Sequence, residues 1–379
     1  MKIVYCIAGT CHSGGMERVL ANKANWLARN GHEVVIVTTD QNGKSPFFAL
    51  DERIRTFDLG IGYEDNNGRP FINKLLKYPL KQFRHKRRLS RLLIELHADI
   101  VVSMFCNDAS FITGISDGSK KILEIHFSRF KRLQYNRKGL WRLSDLLRSR
   151  RDLTVAAKFD KFIVLTHEDK LNWPGLHNID VIPNSRTFSL DFPAPLTEKT
   201  VLAVGRLCYQ KGFDDLIDIW EKVCRKVSGW TLCIVGQGDL EEELRTRIYE
   251  RGLTHSVRIL SARPEEMPTL YSHASVYAMT SRYEGLPMAL LEAQAAGLPI
   301  VSFSCKCGPR DVVNDGEDGF LVAEGDMDGM AWRLTDLMLD SNLRRKMGAK
   351  AFENSKKFSE DAVMQQWKHL FSGVLQATE

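Results

Sequence analysis

A chain of 379 residues with 44% hydrophobic and 26% charged residues has material for two ordinary domain cores, which excludes a disordered or collagen-like polymer. No apolar run approaches the roughly 20 residues of a membrane helix, and the opening MKIVYCIAGT is interrupted too soon for a signal peptide, so it reads as a first strand. The net charge of +6 is uneven: residues 1–183 carry +11 and the remainder −5, as expected of two units that meet different partners.

KIVYCIA is an apolar run of buried-strand type, GTCHSGG a glycine loop, and MERVLANKANWLARN is helix-periodic up to Gly31. Strand, glycine loop and helix open a doubly wound α/β unit, where Gly14 and Gly15 would let backbone approach a ligand. HEVVIVTTD and IRTFDLG follow as strands. Arg69 to Arg91 then holds nine Lys or Arg and no acid, and Leu75, Leu76, Leu80, Phe83, Leu89, Leu92 and Leu93 would give a helix one oily side. DIVVSMF and KKILEIH are strands, the second ending on His126. Arg129 to Arg151 carries nine more cations, with Tyr135 and Trp141 among them and only Asp145 opposing. KFIVLT and IDVIP complete the first half, and Ser185 to Thr200, with Pro193 and Pro195, reads as a linker.

A second α/β unit begins with the strand VLAVG, the loop Arg206 to Gly212 and the helix FDDLIDIWEKVCRKV. TLCIVGQG is a strand and turn; a helix from Asp239 to about Arg251, the strand VRIL, a helix from Pro264 to Ser272 and the strand ASVYAMT follow. In TSRYEGLPMALLEAQAAGLPIVSFS, Pro287 at the first helical position and Gly297 just past the end bound a helix, and LPIVSF is a buried strand. Glu284 lies in the loop before this helix and Glu292 about one and a half turns inside it, so the two carboxylates bracket its N-terminus. GPRDVVNDGEDGFLV is a short helix, a turn and an edge strand, and FSEDAVMQQWKHLFSGVL an amphipathic last helix. Two such halves imply two parallel sheets facing a cleft, with ligands at the C-terminal edges of the strands.

Five features fall at those edges: Gly14 and Gly15, His126, the loop VGRLCYQKG, the turn VGQGD, and the loop holding Glu284. A helix N-terminus suits a phosphate, and carboxylates beside it have a use there in accepting hydrogen bonds from neutral hydroxyls. The combination points to a sugar nucleotide, with Glu292 on one carbohydrate and Glu284 on the other. Arg206 can grip two phosphate oxygens while Lys211 adds a point charge, as the departure of a nucleoside diphosphate requires. Any one of these residues alone is more often a solvated surface group, and His126 is either structural or a handler of protons or sugar hydroxyls. VGQGD lacks the third glycine of a dinucleotide fingerprint, Glu241 standing there, which sets a nicotinamide site aside. Asp326-Met-Asp328 has the form of a metal-binding DxD but fits a helix start. Eight scattered cysteines without metal-type spacing fit a reduced cytoplasmic protein.

With E-x7-E from Glu284 to Glu292, SRYEGLPMALLEAQAAGLPIV, VGRLCYQKG and the early SGGMERV, the chain resembles retaining, sugar-nucleotide-dependent glycosyltransferases of GT-B fold, the group called glycosyltransferase family four. The resemblance covers nearly the whole chain, with its motifs in the expected order. It implies an α/β protein of two Rossmann-like domains, 1–184 and 185–359, with residues 360–379 crossing back to the first. It also implies that Arg206 and Lys211 hold the donor diphosphate, that Glu292 takes the ribose hydroxyls, and that Glu284 contacts the donor sugar. The amides of Gly285 and Leu286 would serve phosphate and sugar, His126 the donor sugar, and Gly14 and Gly15 the phosphate and acceptor side. CKCGPRDVV resembles a CPSGPRE-like loop of bacterial polysaccharide transferases, but Lys306, Cys307 and Asp311 depart from it, which weakens Arg310 as a site candidate.

The implied reaction moves a hexosyl or N-acetylhexosaminyl group, with UDP the commonest carrier among similar enzymes, and demands no metal and no cofactor. The eighteen cations of the two basic tracts, with apolar neighbours, favour an anionic membrane face or a pyrophosphate-linked lipid acceptor. The expectation is a peripheral enzyme at the cytoplasmic leaflet, extending an undecaprenyl-diphosphate-linked glycan of a surface polysaccharide. An enzyme acting on a soluble sugar, or epimerising a sugar nucleotide, is the alternative. A nucleic-acid binder would need no acidic second half or E-x7-E helix.

Overall fold

The computed structural model describes residues 1–64, 71–129 and 140–376, and by internal packing the chain divides into two α/β units. Met1–Leu165, Lys170–Ile182 and Met364–Glu379 form the first, and Thr166–Asp169 with Pro183–Val363 the second.

The first unit is built on the parallel strands β1 (Lys2–Ile7), β2 (Glu33–Thr38), β3 (Arg55–Asp58), β4 (Ile100–Ser103), β5 (Lys120–Glu124), β6 (Lys161–Val164) and β7 (Ile179–Val181). They lie in the order β3-β2-β1-β4-β5-β6-β7. A parallel sheet is covered on both faces, so its strands are apolar throughout: Ile3, Val4 and Tyr5 of β1 are all fully buried. Only the edge strand β3 is exposed along its length. Helix α1 (Gly15–Arg29) buries Leu20, Ala24 and Leu27 at helical spacing, and also Lys23.

Helix α2 (Phe71–Leu96) departs from the single oily side expected of it. His85, Leu89, Leu93 and Leu96 recur every three to four residues and are buried, whereas Leu80 and Phe83 are 70% and 69% exposed. Adding one residue set to the other mixed two faces of the helix; Leu75 and Leu76 lie outside the described side chains. Of the second basic tract, residues 130–139, Tyr135 among them, lie outside the described residues, as does the Trp141 side chain; helix α3 (Leu140–Ala156) carries its C-terminal part.

In the second unit, β8 (Thr200–Val204), β9 (Thr231–Val235), β10 (Val257–Leu260), β11 (Val276–Met279), β12 (Ile300–Phe303) and β13 (Gly319–Val322) are parallel in the order β10-β9-β8-β11-β12-β13. Helices α4 (Phe213–Cys224), α5 (Glu241–Glu250), α6 (Met288–Ala295), α7 (Met327–Leu339) and α8 (Ser341–Asn354) surround them. Ile217 and Trp220 of α4 and Leu334 and Leu337 of α7 join Val201, Leu232 and Ile234 in one core. In both units the strand order reverses direction beside the first strand, between β1 and β4 and between β8 and β11, where open α/β sheets bind ligands at the strands' C-terminal ends.

The last helix, α9 (Glu360–Gln376), carries Trp367 and Phe371, both buried, and belongs from Met364 onward to the first unit. The Lys23 ammonium of α1 lies 3.7 Å from the centre of the Trp367 ring.

Three local details differ from or sharpen the sequence reading. Pro287 is the N-cap of α6 rather than its first helical residue: its ψ of 104° is extended, while its carbonyl accepts from the Leu290 amide at 3.0 Å. Asp326 caps α7 by accepting from the Gly329 amide, and Asp328 pairs with Lys222, so the DxD is a helix start. A side chain at Gly236 or Gly238 would strike the Gly205 or Leu207 carbonyl at 1.8 or 2.4 Å; these glycines let two loops pack against each other.

Candidate active site

At the β8/β11 switch point, the loop after β8 (residues 205–212) is stitched to the loop after β11 (residues 280–287). Thr280 Oγ1 donates to the Gly212 carbonyl at 2.8 Å, and Gln210 Nε2 to the Tyr283 carbonyl at 2.9 Å. Gly212 has φ +63°, and a Cβ there would lie 2.3 Å from the Thr280 carbonyl oxygen, so only glycine permits the approach. Arg282 binds the Tyr209 carbonyl and the carboxylates of Asp214 and Asp215, each at 2.7 Å. Thr280, Gln210 and Arg282 went unremarked in the sequence, where each looks like an ordinary polar loop residue.

The stitching sets Lys211 Nζ 2.7 Å from Glu284 Oε1, with Glu284 only 7% exposed. Two residues singled out from separate motifs thus form one nearly buried ion pair. Arg206, on the same loop, is exposed, and its backbone carbonyl accepts from the Cys208 amide at 2.8 Å. Behind Glu284, its amide donates to the Lys306 carbonyl at 3.3 Å. Gly308, at φ +102°, packs so closely that a Cβ would meet Pro287 Cδ at 2.4 Å and the Gly285 carbonyl at 3.1 Å. The backbone of Gly285 and Leu286 is therefore braced from one side.

Glu292, in the second turn of α6, is held at both oxygens. Thr187 Oγ1 donates to Oε1 at 2.7 Å and the Tyr271 hydroxyl to Oε2 at 2.8 Å. Tyr271 is fully buried and stacked on Tyr277 at 5.9 Å between ring centres. Burial, and then the Glu292 carboxylate, push its phenol pKa well up, so the hydroxyl stays protonated and remains a donor. Tyr271 and Thr187 were also missed; no local pattern ties them to a glutamate 21 or 105 residues further on.

In the CKCGPRDVV loop the departures Asp311 and Cys307 make local contacts, and Arg310, which matches the CPSGPRE-like pattern, is paired as well. Asp311 accepts from the His167 amide at 2.6 Å, Arg310 pairs with Glu168 at 3.3 Å, and Cys307 is buried against Asp169. All eight cysteines are free thiols.

In the first unit, Gly14 is the N-cap of α1 and Gly15 its first residue, with nothing within 4 Å of a Cβ built on Gly15. The Glu17 carboxylate folds back over this helix end, 2.1 Å from where a Gly14 Cβ would be. His126 follows β5. Its side chain is 6% exposed, with Nε2 3.1 Å from Glu124 Oε1; the same oxygen accepts from Lys23 Nζ at 2.5 Å. Burial opposes ionisation of Glu124, but Lys23 and then His126 outweigh it and bring its pKa down to about 2. Burial lowers the Lys23 pKa despite this partner. The available signal was a lysine at a core position of α1 and a glutamate closing an apolar strand. Thus His126, Gly14 and Gly15 belong to the first unit, and Arg206, Lys211, Glu284, Gly285, Leu286 and Glu292 to the second.

Residues 13–185 match the family model described as Glycosyltransferase Family 4, and residues 186–354 match Glycosyl transferases group 1. An uncharacterized glycosyltransferase of Haemophilus influenzae is 32% identical over 97% of this chain and 99% of its own. The amylovoran biosynthesis glycosyltransferase AmsD of Erwinia amylovora is 28% identical over 98% of this chain and 99% of its own. A Campylobacter jejuni enzyme named as an α-1,4-N-acetyl-D-galactosaminyltransferase acting on a diphospho-undecaprenol-linked glycan is 28% identical over the full length of both. Among solved structures, sucrose-phosphate synthase of Thermosynechococcus elongatus superposes with a TM-score of 0.83 at 19% identity, over 99% of both chains. Anabaena HepE in complex with UDP and glucose gives 0.71 at 18% identity, over 98% of this chain and 100% of its own.

Proposed function

The chain belongs to the family 4 glycosyltransferases, with the GT-B fold, and on that premise we propose that it transfers a hexosyl or N-acetylhexosaminyl group, with retention, from a nucleoside-diphosphate sugar to a glycan acceptor. One observation carries this reading: at the β8/β11 switch point the Lys211 ammonium and the Glu284 carboxylate meet at the mouth of the helix that bears Glu292.

The chemistry follows from charge. As the anomeric bond breaks, negative charge grows on the leaving diphosphate; Arg206, Lys211 and the amides of Gly285 and Leu286 are assigned to it. Glu292, oriented by Tyr271 and Thr187, accepts from the ribose hydroxyls. Glu284 fixes hydroxyls of the sugar in transfer and tempers the charge of Lys211 while no donor is bound. His126 is assigned to a hydroxyl of that same sugar, and Gly14 and Gly15 to the phosphate and acceptor side. The leaving diphosphate takes the acceptor proton on the face it departs from, so configuration is kept. These cations do the work of neutralisation, and no metal enters the proposed cycle.

UDP is favoured as carrier because HepE, of the same fold, binds UDP and glucose. A lipid-diphosphate acceptor is favoured by the Campylobacter relative and by α2. Its exposed Leu80 and Phe83 stand among exposed Lys77, Arg84 and Arg87, an arrangement suited to anionic headgroups. No helix among the described residues is long and apolar enough to cross a membrane, so the proposed association with the inner membrane face is peripheral.

The test is a matrix of UDP- and GDP-sugars against polyprenyl-diphosphate glycans, free sugars and water, with product stereochemistry read by NMR. Nucleoside diphosphate release with an α-linked product from an α-linked donor is expected. An inverted product removes the mechanism, and turnover on free sugar alone, or epimerisation without acceptor, removes the lipid-linked acceptor.

A further inference from the structure

We propose that Lys23 and Glu124 are positioning residues for His126, a buried ammonium–carboxylate–imidazole chain that fixes the tautomer and direction of the ring. The proposal rests on the assignment of His126 to the sugar being transferred.

Lys23 and Glu124 have side chains 4% and 1% exposed, and taking two charges out of water is costly before their attraction is counted. A pair of apolar residues could fill the same space at equal or greater stability, so packing alone gives little reason for this pair. Its geometry supplies one. A single oxygen, Glu124 Oε1, lies 2.5 Å from Lys23 Nζ and 3.1 Å from His126 Nε2. Lys23 is itself fixed from the other side, over the Trp367 ring of α9 at 3.7 Å, with the Tyr5 ring of β1 at 5.9 Å. The chain therefore starts on a helix locked by aromatic contacts and ends on the ring after β5.

An anion beside Nε2 keeps the proton on that nitrogen and leaves the lone pair on Nδ1, so the acceptor side of the ring is fixed. Both ring nitrogens are buried, and neither makes a hydrogen bond of regular angle among the described residues. At 3.1 Å the Nε2 contact needs only a turn of the ring to become one. Among the described residues, the groups facing the imidazole–carboxylate pair are Lys23 from α1 and Tyr5 from β1, whose hydroxyl is also buried with no hydrogen bond to any of them.

Glu124→Gln preserves shape and removes the charge. Expected is a kcat about 10- to 100-fold lower, the rate equivalent of one charge-assisted hydrogen bond, with donor KM little changed. Histidine 15N spectra should show one Nε2–H tautomer for His126 in the native enzyme and a mixture in Glu124→Gln. The paired variant Lys23→Met/Glu124→Leu removes both charges without stranding either, and should fold and be slow in the same way. His126→Asn separates the two ideas. If it turns over at the native rate, His126 has no part in transfer and the underlying assignment is lost. If it is slow while Glu124→Gln and the paired variant keep native kcat and a single tautomer, the positioning chain is refuted and the role of His126 stands. Slow Glu124→Gln with an unchanged tautomer also overturns the proposal.

Discussion

Replacing Tyr271 by Phe deletes one oxygen and little else. The ring is fully buried and Phe keeps its volume, so no sizeable cavity opens and the stacking on Tyr277 survives. What disappears is the hydrogen bond to Glu292 Oε2 at 2.8 Å, with a longer one to the Ala289 carbonyl at 3.4 Å. A hydrogen bond to a charged group contributes about 1.5–3 kcal/mol net, and the lower end applies because half-buried Glu292 keeps Thr187 and admits water to the freed oxygen. In a unit of this size, about 1.5 kcal/mol corresponds to a fall of roughly 3–6 °C in its unfolding midpoint. The same energy, lost from the orientation of the carboxylate proposed to grip the ribose, should raise donor KM about tenfold and leave kcat nearly unchanged. Scanning calorimetry and donor saturation at fixed acceptor measure the two effects. A midpoint and a donor KM both at native values would refute the argument that Tyr271 aims Glu292.

Lys211→Met strands Glu284 in a site where it is 7% exposed; the expected loss is about 1–3 kcal/mol, below the value for a fully buried pair because Lys211 reaches solvent. Its kcat should fall about 10²- to 10³-fold, as for loss of one transition-state donor, and native single-turnover kinetics would remove Lys211 from the mechanism. Because Glu284 is buried and paired rather than a free loop carboxylate, Glu284→Gln, not Ala, is the variant that should stay folded and lose transfer in the same assay. The folded-state Glu124 pKa of about 2 lies below the ordinary 4.5, so its stabilisation is present above pH 4.5 and disappears as pH falls toward 2. An acid titration followed by circular dichroism should show this decline in the native protein and a weaker one in Glu124→Gln; equal slopes would contradict it. Chelation by EDTA should leave the transfer rate unchanged, and a loss restored by a divalent cation would count against charge neutralisation by Arg206 and Lys211 alone.

The strands of both sheets were readable because parallel strands are buried on both faces and appear as unbroken apolar runs such as KIVYCI and TLCIV. The functional loops were readable for the same reason, since each follows such a run. Helix α2 was misread in part: a charged helix with seven apolar positions has more than one way to divide them between core and solvent, and only packing into the core chose Leu89 and Leu93, with His85 set against the Tyr63 and Phe111 rings. The residues that hold the site together were beyond local reading. Arg282 reaches back 67 and 68 residues to Asp215 and Asp214, and Lys23 forward 101 residues to Glu124.

By itself the sequence determined the order of strands and helices, the glycosyltransferase family, and the motifs from which Lys211, Glu284, Glu292 and His126 were picked out. Those are properties of residue type and short spacing, which sterics, periodicity and backbone capping translate directly. Tertiary structure alone decided which charges pair: Glu284 with Lys211, Glu124 with Lys23 and His126, Glu292 with two hydroxyls. Charge pairing depends on distance in space and on exclusion of water, and the sheets set both by bringing remote strand ends together.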